Sequence, residues 1–154
     1  MELYIRKPRM QDVRAIHALL MESANKQELL PRSLHDLYGK LRDFVVLVSR
    51  EEERVLGCCA FAICWEDIAE IRSLAVTAEL KGQGWGRRLV ETCLSEAVMF
   101  GVYRVFTLTY VPGFFAKLGF NEVAKEVLPQ KVWADCLNCP KFPECDEVSM
   151  MLEL

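Results

Sequence analysis

The chain has 154 residues, 52% of them hydrophobic and 27% charged, with a formal net charge of −3. That length holds one packed core and is short for two ordinary domains, so residues 1–154 are expected to form a single domain. The lack of a basic excess argues against nucleic acid or an anionic membrane as partner. No apolar run approaches the ~20 residues of a membrane span and no signal-peptide stretch opens the chain, so a cytoplasmic location is expected.

Residues 2–7 alternate apolar and polar positions as a strand does, and Pro8 ends it. From Met10 to about Leu29, Val13, Ile16, Leu20 and Ala24 recur at helical spacing. Ser33 can cap a second short helix running to about Arg42, with Asp36 three residues on in the position of a capping box. Residues 44–49 and 55–65 read as a hairpin turned by the charged run Arg50 to Arg54, and residues 68–76 as a further strand carrying Glu70 and Arg72 on one face. A Gly-rich loop over 77–85 leads into a helix over 87–100 that Gly101 closes. Residues 103–110 predict a strand, 112–118 a short helix closed by Gly119, and 148–154 a last strand. Hairpins first and a helical crossover later predict an α/β (α+β) fold with a mixed central sheet flanked by helices.

Seven cysteines are many for this length. Cys58, Cys59, Cys64 and Cys93 lie in apolar runs, where a reduced thiol packs as a small hydrophobe. Cys136, Cys139 and Cys145 fall in an irregular, proline-bearing stretch over 128–147. A zinc site normally takes four ligands, and the two histidines, His17 and His35, are far upstream, so structural or free thiols are expected and no metal is assigned, with a metal site and redox chemistry as the alternatives.

The loop Lys81-Gly82-Gln83-Gly84-Trp85-Gly86, running into Arg87, carries the strongest functional signal. Glycines let the backbone approach a ligand, amides converge, and a helix N-terminus adds positive partial charge, so a pyrophosphate is the natural guest. No Gly-Lys-Ser/Thr follows, which excludes a Walker loop, and a dinucleotide fold would place such a loop after its first strand.

The blocks AEIRSLAV (69–76), KGQGWGRRL (81–89) and FAKLGF (115–120) resemble the GNAT N-acetyltransferase superfamily. The resemblance implies the GNAT fold, mostly antiparallel, and acetyl-CoA as co-substrate. Its pantetheine arm would pair with the main chain of Leu74, Ala75 and Val76, and its pyrophosphate would sit on the amides of residues 82–87, with Lys81 where the family usually has Arg or Gln. It also implies Glu70 as the base that frees the acceptor amine. The usual acid is a Tyr where this sequence has Phe115, and Tyr110 is the available substitute. Further pieces, LLPRSL (29–34), FTLTY (106–110) and the segment from Lys131 to Glu147, are similar to the acetyltransferase domain of bacterial N-acetylglutamate synthases, in a short form lacking an amino-acid-kinase domain. That likeness implies a small amino-acid acceptor, L-glutamate first. Its two carboxylates would be met by Arg32 and Ser33, with Arg72 and Lys131 as further candidates. A protein or peptide acetyltransferase and a non-catalytic acyl-CoA-binding module are the competing readings. A homodimer is left open.

Overall fold

The computed structural model describes residues 2–26, 32–128 and 147–154; Lys131 and the cysteines at 136, 139 and 145 lie outside them. Its strands are β1 (Leu3–Arg6), β2 (Phe44–Ser49), β3 (Val55–Trp65), β4 (Ile68–Val76), β5 (Arg104–Thr109), β6 (Asn121–Glu122) and β7 (Val148–Glu153). The helices are α1 (Val13–Asn25), α2 (Leu34–Gly39), α3 (Trp85–Phe100) and α4 (Pro112–Ala116). The strands form one sheet in the order β1-β2-β3-β4-β5-β7-β6. Every neighbouring pair is antiparallel except β4 and β5, which run parallel across the α3 crossover. This is the mixed sheet that the element order predicts, mostly antiparallel as the resemblance implies.

The elements differ from expectation mainly at their ends. The first helix opens as a 3-10 turn over Met10–Asp12, and β6 is too short for the sequence to announce. Ser33 does cap α2, its Oγ accepting the Asp36 amide at 3.0 Å, but the Asp36 carboxylate turns to Arg32 and Lys40 instead of closing a capping box. The helix expected from Arg87 starts at Trp85, so Trp85 and Gly86 belong to its first turn.

Burial follows the logic of a sheet covered by helices on both faces, three layers in all. Val45, Leu47, Cys59, Phe61, Ala69 and Ile71 pack with Leu89, Val90, Cys93 and Ala97 of α3. On the opposite face, Val46, Val48, Cys58, Ala60 and Ala75 pack with Val13, Ile16 and Leu20 of α1 and Leu37 of α2. Cys58, Cys59 and Cys93 are buried free thiols, as their apolar surroundings in the sequence predict, and Cys64 is half-buried.

Candidate active site

The site is built where β4 and β5 part. Their parallel ladder covers only Ile68 to Glu70 against Arg104 to Phe106. The next contact is a side-chain bridge, the Thr107 hydroxyl donating to the Ile71 carbonyl at 2.8 Å. Beyond it β5 continues against β7 as far as Thr109, and β4 continues against β3 as far as Val76. Among the described residues, the β4–β5 ladder is not resumed, and the β5-side edge of β4 over residues 73–76 has no strand partner. An edge of unpaired amides and carbonyls is what an extended ligand needs to join a sheet.

A bulge re-aims that edge. Ala60 pairs with Arg72 and Cys58 with Ala75, so two steps along β3 face three along β4. Ser73, at φ +56°, is the non-glycine residue of β4 in the left-handed region. The extra residue switches parity: Ala69 and Ile71 face the α3 core before it, Leu74 and Val76 after it. Ala75 faces α1.

At the end of β4 the chain makes a 3-10 turn over Ala78–Leu80 and enters the glycine loop. Gly82 and Gly84 have φ of +81° and +86°, and a Cβ on either would meet nothing within 4 Å, so the loop's backbone faces open space. Gly84 precedes the first turn of α3, whose amides point out of the helix without intrahelical acceptors. Gly86 serves differently: a Cβ there would stand 3.4 Å from the Phe114 ring, so it lets α4 pack against the start of α3. The formal charge beside the loop is solvent-exposed, with Arg87 3.5 Å from Glu91 and Arg88 stacked on the Trp85 ring at 4.5 Å. Lys81 is exposed. These free amides, open glycines and unpaired edge fit a ligand with a polyanionic head and an amide-bearing arm, which is the chemistry of coenzyme A.

Glu70 and Arg72 project from the other face of β4, by alternation with Ala69 and Ile71. Both side chains are largely buried (14% and 11% exposed), with Arg72 Nη1 3.5 Å from Glu70 Oε1 and its Nη2 4.0 Å from Asp43 Oδ2. Burial pushes the Asp43 carboxyl above its ordinary range against the pull of Arg72, Lys40 and Lys7. No motif singles out Asp43 in the sequence, because a lone acid before a strand looks like any turn residue.

Arg32 and Ser33 stand at the N-terminus of α2. Arg32 pairs with Asp36 at 3.0 Å, and Asp36 with Lys40 at 3.2 Å; these contacts hold the Asp36 carboxyl below its ordinary range although burial acts the other way. Tyr110 follows β5 at the point where the Val111 amide donates to Thr109 Oγ1 at 2.9 Å, a turn that carries the half-buried tyrosine off the end of the strand. Phe115 is 3% exposed and stacks edge-on with Phe114 and Phe120, so that position is a core position here. A groove of about 510 Å³ between β1 and α3, lined by Leu3, Ile5, Trp85 and Arg88 among others, adjoins the glycine loop at Trp85 and Arg88 and contains neither Glu70 nor the bulge.

Comparison with known proteins points to one family. The profile of the acetyltransferase (GNAT) family matches residues 11–120. An uncharacterized N-acetyltransferase of Chlorobaculum tepidum is 43% identical over 97% of this chain and 96% of its own length. An amino-acid acetyltransferase of Mycobacterium tuberculosis is 37% identical over 77% of this chain and 68% of its own. Among solved structures, N-acetylglutamate synthase from Neisseria gonorrhoeae, complexed with coenzyme A and N-acetyl-glutamate, superposes with a TM-score of 0.88 at 25% identity. The match covers all of this chain, which spans about a third of that protein (35%). A Mycobacterium tuberculosis protein in complex with CoA superposes with a TM-score of 0.82 at 31% identity, covering 98% of this chain and 99% of its own.

Proposed function

The chain belongs to the acetyltransferase (GNAT) family of acetyl-CoA-dependent N-acetyltransferases, and from that premise we propose that it acetylates the α-amino group of a free amino acid, L-glutamate first. The observation that carries this reading is the open β4 edge and glycine loop beside the largely buried Glu70–Arg72 pair. The relatives named amino-acid acetyltransferase support it, as does the N-acetyl-glutamate complex of the Neisseria gonorrhoeae synthase. The proposed setting is the cytoplasm, at the entry to arginine synthesis, with residues 1–154 acting as one domain.

Acetyl-CoA supplies an activated acetyl group, and this chain's residues prepare the partners. The loop amides of residues 82–87 and the start of α3 hold the pyrophosphate, and the Leu74–Val76 main chain aligns the arm. An α-amino group is mostly protonated at neutral pH, so Glu70 takes its proton, directly or through water. Arg72, 3.5 Å away, orients that carboxylate. Tyr110 is the proposed proton donor to the departing thiolate. Arg32, Ser33, Arg72 and Lys131 are the proposed holders of the acceptor's carboxylates, Arg32 sharing its fork between Asp36 and substrate. Purified protein, acetyl-CoA and a panel of free amino acids, followed by thiol release, test this reading.

A further inference from the structure

The bulge in β4 has a partner in β3 whose chemistry the active site does not otherwise use. Cys58 is fully buried, and its Sγ lies 3.3 Å from the carbonyl oxygen of Ser73. Cys58 also stands opposite Ala75 in the β3–β4 pairing, so it sits where the ladder resumes after the bulge. Burial pushes this thiol up to about 12, so it keeps its proton and acts as a donor. A bulge residue has no ladder position of its own, and a serine in the left-handed region persists only where its surroundings hold it there. Burial also denies Cys58 the access that a nucleophile or an oxidisable thiol requires.

We propose that Cys58 is a positioning residue for the co-substrate: its thiol pins the Ser73 carbonyl and thereby sets the direction in which the Leu74–Val76 main chain meets the pantetheine arm. This rests on the reading that Leu74–Val76 takes that arm. A thiol that merely filled core volume beside Val46 and Ala75 would act on stability alone.

Three variants separate the two roles: Cys58→Ala, Cys58→Val, which fills the space without a donor, and Cys58→Ser, which keeps one. Each is titrated with acetyl-CoA and with adenosine 3′-phosphate 5′-diphosphate, the nucleotide part lacking the arm. Loss of the donor should weaken acetyl-CoA by roughly 3- to 10-fold and leave the nucleotide unchanged, with Cys58→Ser within about twofold of the native protein. If Cys58→Ala fails to fold, the Val and Ser pair carries the comparison. Native acetyl-CoA affinity in Cys58→Val, equal weakening of both ligands, or a Ser variant as poor as the Val variant overturns the proposal. A native protein that binds acetyl-CoA no more tightly than the nucleotide would instead overturn the pantetheine reading, and this inference with it.

Discussion

Glu70, the proposed base, is largely buried on β4 with Arg72 Nη1 3.5 Å from its Oε1. Glu70→Gln keeps the shape and removes the base, so turnover should fall by roughly 10- to 1000-fold near neutral pH and recover as the pH approaches that of the free amine. A pH–rate profile of the variant checks this; an unchanged rate and profile would move the role to another group. Arg32 carries the acceptor prediction. Arg32→Ala should cost about 2–4 kcal/mol in kcat/KM for glutamate, and Arg32→Lys should recover only part of it, because an ammonium replaces a planar two-pronged donor. Arg32 also braces α2 through Asp36, so acetyl-CoA affinity is the control. The loss should be confined to the acceptor's kinetic constants.

Two elements concentrate the consequences of the fold. The glycine loop faces open space at positive φ, so Gly84→Val both strains the backbone and puts a side chain where a pyrophosphate would approach. A folded variant should lose acetyl-CoA binding by at least ~100-fold, the order expected when a phosphate cradle is blocked; unaltered affinity by calorimetry would contradict the loop's assignment. The turn before α1 is held by Asp12, which accepts from Arg6 at 2.8 Å and from the Arg9 amide at 2.7 Å. Burial disfavours the Asp12 charge, but these donors outweigh it and hold the carboxyl below its ordinary range. A carboxyl with a lowered folded-state pKa contributes its stability above the unfolded value, near 3.9, and loses it as the pH falls through the folded value. Asp12→Asn should therefore cost about 2–4 kcal/mol in urea unfolding at pH 7 and progressively less below about pH 4. What the sequence revealed at this scale was periodic. The alternation of β4 and the glycine spacing were plain, whereas the bulge was not read, because the slip from Ala69 and Ile71 to Leu74 and Val76 is hidden in one apolar run. The true start of α3 was hidden because Gly86 looks like a loop residue until Phe114 packs over it.

Across the molecule, the order of strands and helices was legible because each carries its own hydrophobic period, and the cleft was not, because it arises from the separation of β4 and β5 after Glu70. Asp43 joins Arg72 only through that tertiary arrangement, and Phe115 is seen as a core residue only once its ring is stacked between Phe114 and Phe120. No helix among the described residues is long and apolar enough to cross a membrane. The parting of β4 and β5 leaves an open edge beside the glycine loop, and Glu70 and Arg72 stand together on β4. The most direct test measures kcat/KM by thiol release from acetyl-CoA with glutamate, glutamine, aspartate, ornithine and a lysine-containing peptide as acceptors. The account predicts that glutamate gives the highest value, with N-acetyl-L-glutamate identified as the product. Faster reaction of the lysine peptide, or no acceptor-dependent thiol release from any free amino acid, would contradict it.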